Sequence, residues 1–214
     1  MTVYSMQGEY LSEITYIVVE DGKAIVIDPG ASAERILAEC KSIAAEPIAV
    51  LLTHGHVDHT IGARVLQEMG IKVYAHSEEF AVLEGKANLA LAFQLVGHTI
   101  RPDVALEDDA VLSIPPFSIK VIYTPGHTQG GVCYLIGDNL FTGDTLFVGS
   151  YGRTDLPTGD EQDLLCSIAN VLFELPAETK VYSGHGDAAP DAVPCQPQTT
   201  IGQECSTNPI LYLL

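Results

Sequence analysis

The strongest constraint on the fold is the stretch THGHVDHT at residues 53–60, which places three histidines and one aspartate within eight residues. It follows the apolar run IAVLL, which is typical of a strand buried on both faces. It precedes TIGARVLQEMG, which has the periodicity of a helix. Functional sites are commonly built in loops at strand ends, so we predict that these side chains converge on a cation rather than form a solvated surface loop.

The residue types and their spacing suit a metal site. His54 and His56 leave the strand two positions apart, so both imidazoles can aim at one point. Asp58 and His59 fall in the first turn of the next helix and can aim at a neighbouring point. Imidazole and carboxylate are the ligands preferred by Zn²⁺, Mn²⁺ and Fe²⁺. Gly55 leaves the crowded centre of the turn without a side chain.

The same setting recurs at three more predicted strand ends. His127 in YTPGHTQGG, Asp144 in FTGDTL and His185 in VYSGHG each follow a strand and lie beside glycine, so five of the seven histidines share one structural situation. His98 lies in VGHTI, a second copy of GHT, but no clean strand leads into it. His76 ends the strand IKVYAH before a helix. We predict that His98 is a loop histidine and that His76 is structural.

The rest of the chain alternates strands with helices after an opening run of strand, and we interpret residues 1–214 as a single domain. A hairpin is predicted over EITYIVVEDGKAIVIDPG, and three close strands over FSIKVIYTPGHT, GGVCYLIGDN and LFTGDTLF. Helices are predicted over SAERILAECKSIAA, over SEEFAVLEG with Ser77 as its N-cap, over GDEQDLLCSIANVLFEL, and near the C-terminus before Pro209. Residues 86–103 are predicted to be a loop with some helix.

The charge limits the partners of the chain. With 28 acidic and 10 basic residues the formal net charge is −18, which argues against nucleic acid and against an anionic membrane surface. No signal peptide and no apolar run of spanning length is visible. The five cysteines form no CxxC pair, so we predict a reducing cytoplasmic location and buried apolar roles for Cys133 and Cys166.

Taken together, the HxHxDH run, the later GHT, the strand-end GD and the final GH are similar to the ligand set of the metallo-β-lactamase superfamily. IDPG at 27–30 resembles its early aspartate motif, where Asp28 is a buried structural carboxylate near the site. The resemblance implies an α/β fold, an αββα sandwich of two mixed β-sheets with helices on the outer faces. It also implies two divalent transition metal ions, with zinc ahead of iron and manganese. The implied ligands are His54, His56 and His127 for one metal, Asp58, His59 and His185 for the second, and Asp144 as the bridge.

Within this superfamily, FTGDTLFVGSYGRTDLPTGD and VLFELPAETKVYSGHG resemble the glyoxalase II group, the hydroxyacylglutathione hydrolases. TTIGQECSTNP resembles the TIGxE…NP of their short, single-domain members. The resemblance implies hydrolysis of a small-molecule thioester such as S-lactoylglutathione by a hydroxide that bridges the metals and that Asp58 orients. Arg153 falls near a basic substrate contact of that group, where it either grips a carboxylate bidentately or forms a structural salt bridge.

Two other functions stay open at the level of the sequence. GRTD also occurs in the persulfide dioxygenases of the superfamily, which use a single iron and oxygen. A metal-binding module without turnover is the other alternative. Seven ligands for two metals would leave positions open for water, unlike a closed structural site, which favours an enzyme. The sequence makes no prediction about oligomeric state.

Overall fold

The computed structural model describes residues 1–213, and over that range the strands form two six-stranded sheets and one two-stranded ribbon. The first sheet contains, in order across the sheet, β1 (Thr2–Gln7), β2 (Ile14–Glu20), β3 (Lys23–Ile27), β4 (Glu46–Leu51), β5 (Lys72–His76) and β6 (Val104–Leu106). The second contains β7 (Val111–Ile114), β8 (Phe117–Tyr123), β9 (Val132–Ile136), β10 (Asn139–Gly143), β13 (Lys180–Ser183) and β14 (Thr199–Thr200). The ribbon pairs β11 (Leu146–Phe147) with β12 (Ser150–Tyr151).

Both sheets are mixed. In the first sheet β1, β2 and β3 are antiparallel, whereas β3, β4, β5 and β6 run parallel. In the second sheet β8, β9 and β10 are antiparallel neighbours and β10 is parallel to β13. The strands β8, β10 and β13 therefore point the same way, and their carboxyl ends meet at one edge of the sheet.

Helices cover the outer face of each sheet. The α-helices are α1 (Ala33–Ser42), α2 (Ala63–Glu68), α3 (Phe80–Glu84), α4 (Glu161–Asn170) and α5 (Ile201–Thr207). Short 3₁₀ turns lie at Val57–His59, Ser77–Glu79, Lys86–Asn88, Ala90–Phe93, Leu172–Glu174 and Pro209–Tyr212. The first three helices pack on the first sheet through one apolar cluster, and α4 and α5 pack on the second sheet through another.

A third apolar cluster lies between the two sheets and completes the αββα sandwich that the resemblance implied. The strand β2 shows how the sequence builds it, since Ile14, Tyr16 and Val18 face the second sheet while Ile17 faces the helices. Successive side chains of a strand point to opposite faces. Because both faces of this sheet are covered, the sequence of β2 is largely apolar and does not alternate between apolar and polar residues.

Most of the predicted elements are present, but two local predictions are wrong. Ser77 is not the N-cap, because the ring nitrogen Nδ1 of His76 accepts the hydrogen bond from the Glu78 amide at 3.4 Å. Cys133 is buried as predicted, and burial raises the pKa of its thiol to about 12. Cys166 is exposed, since it lies on α4 between the buried Leu164 and Ile168 and faces away from the sheet.

The segment 186–198, which follows the last predicted site histidine, runs beside the first strand. The backbone amide of Cys195 donates to the Val3 carbonyl at 2.9 Å, and the Ala189 amide donates to the Ser5 hydroxyl at 2.9 Å. The segment therefore covers the free edge of β1, which would otherwise expose unpaired backbone groups. Over the described residues the helices are all too short or too polar to cross a membrane.

Candidate metal centre

The predicted site residues lie together where strand ends from the two sheets meet. His54 and His56 follow β4 of the first sheet, while His127, Asp144 and His185 follow β8, β10 and β13 of the second. Two backbone hydrogen bonds join the sheets here, from the Val132 amide to the Thr53 carbonyl at 2.9 Å and from the Ile14 amide to the Gly184 carbonyl at 2.8 Å. Each sheet thus contributes side chains to one centre.

The side chains form two adjacent groups that match the two predicted ligand sets. In the first group, one ring nitrogen from each of His54, His56 and His127 lies within 4.8 Å of the others. In the second group, one ligand atom from each of Asp58, His59 and His185 satisfies the same distance. All of these side chains are buried except His185, which is partly exposed.

Asp144 lies between the two groups and contacts both. Its Oδ2 is 3.5 Å from Nε2 of His127 in the first group and 3.2 Å from Nε2 of His185 in the second. Its Oδ1 is 3.3 Å from Nε2 of His59. Gly184 makes room for this carboxylate, since a Cβ there would lie 2.5 Å from Oδ1. The position is the one expected of a carboxylate that bridges two cations.

Asp28 also lies near ring nitrogens of His54 and His59, but its oxygens already have partners. Its Oδ1 accepts from the Thr53 amide at 2.7 Å, and its Oδ2 accepts from the Thr53 hydroxyl at 2.5 Å and faces Nδ1 of His59 at 3.0 Å. Asp28 is thus a buried carboxylate that orients His59 rather than one that faces the centre.

The hydrogen bonds assign the tautomers of four histidines. Nδ1 of His59 donates to Asp28, Nδ1 of His127 donates to the Arg153 carbonyl at 2.7 Å, and Nδ1 of His185 donates to the Leu11 carbonyl at 2.9 Å. The hydroxyl of Thr53 gives its one proton to Asp28, so at 3.1 Å it accepts from Nδ1 of His54. In the neutral form of each of these rings Nε2 therefore presents a lone pair to the centre.

This arrangement fits cations. Nε2 of His59 faces Nε2 of His185 at 3.2 Å, and Nε2 of His127 faces Nδ1 of His56 at 3.0 Å. In the first of these pairs both nitrogens are the lone-pair atoms of neutral rings, and two lone pairs at such a distance repel each other unless a positive charge lies between them. Nε2 of His54 and Nε2 of His56 are buried without any hydrogen-bond partner. Buried polar atoms normally have a partner, so these orphaned atoms indicate positions for metal ions.

The electrostatics agree with this interpretation. Burial, with smaller contributions from the neighbouring imidazoles, lowers the pKa of His54 well below its usual value and that of His56 to about 3, so both rings are neutral. Burial also disfavours a charge on His59, but Asp144 and Asp58 outweigh it and raise the pKa of His59 well above its usual value. Without a metal, protons supply the positive charge that the carboxylates require. Metal binding would release those protons.

Glu79 is a site residue that sequence reasoning missed. The carboxylate is fully buried, and it accepts from the Gly55 amide at 2.7 Å and from the Gly130 amide at 2.9 Å. Gly55 separates His54 from His56, and Gly130 follows His127 in its loop. Glu79 therefore ties together the two loops that carry the first histidine group. Desolvation by burial raises the pKa of Glu79 to about 7 although both amides lower it.

The side chains of the other singled-out residues belong to neither ligand group. His98 is half-buried in a loop, and its Nε2 lies 2.9 Å from the Thr60 hydroxyl. His76 stacks on Tyr123 and pairs with Asp108 at 2.8 Å. The guanidinium of Arg153 is exposed at the mouth of the cleft and forms a bidentate ion pair with Asp155, at 2.6 and 2.8 Å.

The C-terminal TIGxE…NP pattern holds a loop that borders the centre. Glu204 is fully buried and accepts from the Gly149 amide at 2.9 Å and from the Asn208 amide group at 2.8 Å. The same Asn208 group donates to the Ser150 carbonyl at 2.9 Å. The same cleft as the candidate ligands is lined by Phe147, Val148, Ser150 and Tyr151, so this pattern fixes one of its walls.

Comparison with known proteins agrees with this geometry. Residues 12–185 match the metallo-beta-lactamase superfamily. The chain is 37% identical over 202 residues to the probable metallo-hydrolase YqgX of Bacillus subtilis, covering 92% of this chain and 90% of that protein. It is 33% identical over 198 residues to hydroxyacylglutathione hydrolase GloC of Haemophilus influenzae, covering 90% and 89%.

Solved structures show the same relationship. The BLEG-1 B3 metallo-beta-lactamase superimposes with a TM-score of 0.85 at 37% identity, over 98% of this chain and 99% of that one. TTHA1623 in a di-iron-bound form gives a TM-score of 0.80 at 34% identity, over 96% and 98%. The chain therefore belongs to the metallo-beta-lactamase superfamily and is a metallo-hydrolase of that superfamily.

Proposed function

We propose that this metallo-hydrolase cleaves thioesters, with S-lactoylglutathione as a test substrate, and that it works with two divalent transition metal ions. The observation that carries the proposal is the position of Asp144, whose two oxygens contact histidines of both ligand groups beside an open cleft. Similarity to hydroxyacylglutathione hydrolase GloC supports the choice of thioester.

The proposed ligands are His54, His56 and His127 for one metal, Asp58, His59 and His185 for the other, and Asp144 between them. Bound divalent metals would supply Lewis acidity, which lowers the pKa of water and polarises a carbonyl oxygen. We propose zinc as the first choice for both metal ions. The likeness to TTHA1623 in its di-iron-bound form supports iron as the leading alternative, with manganese third, because this ligand set suits all three.

The residues of the chain then have defined tasks. Asp58 lines the cleft with one carboxylate oxygen 3.6 Å from Nε2 of His185, so it can orient the attacking water and accept its proton. The carbonyl C–S bond of the substrate breaks as a C–O bond to the water oxygen forms, which gives a carboxylic acid and a thiol. A thiol has a pKa near 8.5, so the thiolate leaves without a strong general acid.

Two other activities have specific support. The likeness to BLEG-1 B3 metallo-beta-lactamase suggests a β-lactam amide as substrate, since the same attack on a carbonyl would open that ring. The resemblance of GRTD at 152–155 to persulfide dioxygenases suggests a single iron and oxygen uptake instead. The open cleft at the centre argues against a metal-binding module without turnover.

One experiment separates these functions. The purified, metal-loaded protein is incubated in parallel with S-lactoylglutathione, a chromogenic cephalosporin and glutathione persulfide, while thiol release, ring opening and oxygen uptake are followed. We expect thiol release without oxygen uptake. A matched His56→Ala variant should abolish it. Ring opening or oxygen uptake in the absence of thioester cleavage would overturn the proposal.

A further inference from the structure

The candidate centre opens into one large cleft of about 1000 Å³. His56, Asp58, His127, Asp144 and His185 all line it, so a molecule in the cleft contacts the candidate ligands directly. The other lining side chains surround whatever part of a substrate does not react. Their chemistry therefore determines which substrates bind.

Those surrounding side chains are mainly apolar. The apolar lining residues are Leu11, Leu89, Phe93, Phe147, Val148 and Leu156. Two of them are well exposed, Leu11 at 64% and Val148 at 49%. Exposed apolar surface gathered at a functional cleft indicates a binding surface for an apolar group.

The apolar walls are held in place rather than loosely attached. The ring of Phe147 lies 6.0 Å from the ring of His185, edge to face, so apolar surface begins beside the candidate ligands. Glu204 and Asn208 hold the loop that follows Phe147. On the opposite side Phe93 packs against Tyr10 with ring centroids 5.1 Å apart.

The charges of the cleft disfavour an anionic substrate tail. Among the described residues that line it, Arg153 is the one lysine or arginine, and its guanidinium is paired with Asp155 through two hydrogen bonds. Asp187 adds a carboxylate to the lining, and the formal net charge of the chain is −18. A thiol that carries two carboxylates, as glutathione does, would therefore meet repulsion without a free cationic partner.

We propose that the preferred substrate is a thioester with an apolar acyl group, a medium-length aliphatic chain or an aromatic ring, on a thiol that carries no carboxylate. This inference rests on the proposed thioester hydrolysis and names its substrate class. The acyl chain lies against Phe93 and Phe147, and the carbonyl reaches the candidate ligands. Water replaces the thiol at the carbonyl carbon, and an apolar carboxylic acid and a neutral thiol leave.

The first test compares four thioesters on the metal-loaded protein at physiological salt. They are the acetyl and hexanoyl thioesters of N-acetylcysteamine and of glutathione. One buried CH₂ group contributes about 0.8 kcal/mol, so we expect kcat/KM for hexanoyl to exceed that for acetyl by at least about tenfold. For the same acyl group we expect N-acetylcysteamine to exceed glutathione. Equal rates for both chain lengths, or a preference for glutathione, would overturn the inference.

The second test places the acyl group in the cleft. Phe93→Ala should reduce the hexanoyl-to-acetyl ratio of kcat/KM at least threefold, since the chain loses its contact with the ring. Leu91→Ala is the matched control, because Leu91 belongs to the same 3₁₀ turn, is 57% exposed and does not line the cleft. The control should keep the wild-type ratio. An unchanged ratio in Phe93→Ala would contradict the placement.

A binding measurement separates failure of this inference from failure of the proposed function. Calorimetry on the metal-loaded protein uses thioethers that cannot be hydrolysed, S-hexyl and S-ethyl N-acetylcysteamine and S-hexylglutathione. We expect the S-hexyl compound to bind at least about tenfold more tightly than the S-ethyl compound and more tightly than S-hexylglutathione. If no thioester is cleaved, the proposed function fails and these affinities still decide the substrate class. Equal affinities, or tighter glutathione binding, would overturn the inference.

Discussion

At the scale of single residues, the centre depends on which nitrogen of each imidazole carries the proton. In four histidines an oxygen outside the centre engages Nδ1, so in the neutral ring Nε2 is the nitrogen that has the free lone pair. His56 differs, since its Nδ1 is the atom that faces His127. His98, the other histidine in a GHT sequence, lies beside Thr60 and contacts no candidate ligand. The sequence GHT is therefore insufficient for a role at the centre.

This difference gives a prediction for matched histidine variants. His56→Ala should lose at least one metal equivalent and reduce hydrolysis at least about a hundredfold, since a ligand is removed. His98→Ala should keep the wild-type metal content and stay within a few-fold in rate, because it removes one hydrogen bond worth about 1 kcal/mol of stability. Elemental analysis and initial rates measure both. Equal loss in the two variants would contradict the assignment.

Glu79 gives a prediction about pH. Burial raises its pKa to about 7 in the folded protein, so its contribution to stability is fully present below about pH 4.5 and is lost as the pH rises through 7. Glutamine does not titrate. In the metal-free protein, the free energy of unfolding of wild type relative to Glu79→Gln should therefore fall by about 2 kcal/mol between pH 5 and pH 8.

Urea unfolding in the presence of a chelator measures this difference. Glu78→Gln is the matched control, because Glu78 is the exposed neighbour and undergoes the same chemical change. We expect Glu78→Gln to keep the pH dependence of wild type, because the buried carboxylate of Glu79 is still present. Parallel pH profiles for wild type and Glu79→Gln would show that Glu79 does not titrate as its burial requires.

At the scale of elements, helix α4 supports the loop that carries His127. The Asp160 amide donates to the Gly126 carbonyl at 2.8 Å, and the Ser167 hydroxyl donates to the Pro125 carbonyl at 2.8 Å. Gly126 has a φ of +130°, and a Cβ there would lie 2.2 Å from the backbone nitrogen of Leu164. A side chain at this position would push the loop away from the helix.

We therefore expect Gly126→Ala to displace His127 and to lower both stability and metal content. The matched control is Gly97→Ala, because Gly97 also has a positive φ, +80°, but a Cβ there meets no atom within 4 Å. In the control, backbone strain should lower the free energy of unfolding by only about 1–2 kcal/mol. Gly126→Ala should lower it clearly more, because its side chain also clashes with α4. Thermal unfolding and elemental analysis distinguish the two. Similar losses would mean that packing against α4 does not position the loop.

The elements that could be predicted from the sequence are those with a strong local pattern. The strands β4, β8, β10 and β13 are apolar runs followed by site residues that lie beside glycine. Both the strands and these site residues could therefore be predicted from the sequence. The β11–β12 ribbon and the edge strands β6, β7 and β14 are short, and tertiary pairing defines them. Glu79 was missed for the same reason, since its partners Gly55 and Gly130 lie 24 and 51 residues away. The exposure of Cys166 depends on how α4 is rotated against the sheet.

At the scale of the whole molecule, the centre joins two halves of the sandwich. The first sheet and the loop after β4 supply His54, His56, Asp58 and His59, and the second sheet supplies His127, Asp144 and His185. Asp28, Asp58 and Asp144 concentrate negative charge at the centre of a chain whose formal net charge is −18. Bound cations would therefore offset repulsion and link the halves at once, so we expect metal binding to contribute to global stability.

Metal removal tests this expectation. Elemental analysis should find close to two transition-metal equivalents, and metal at a thousandfold excess over its Kd stabilises a fold by about 4 kcal/mol. For a chain of this size, chelation should lower Tm by about 10 °C, and added zinc should restore it. In Asp144→Asn most of this change in Tm should be lost, because an amide replaces the carboxylate that contacts both groups. In His98→Ala the change in Tm should stay as in wild type. A metal content of zero, or a Tm that chelation does not change, would contradict the metal centre.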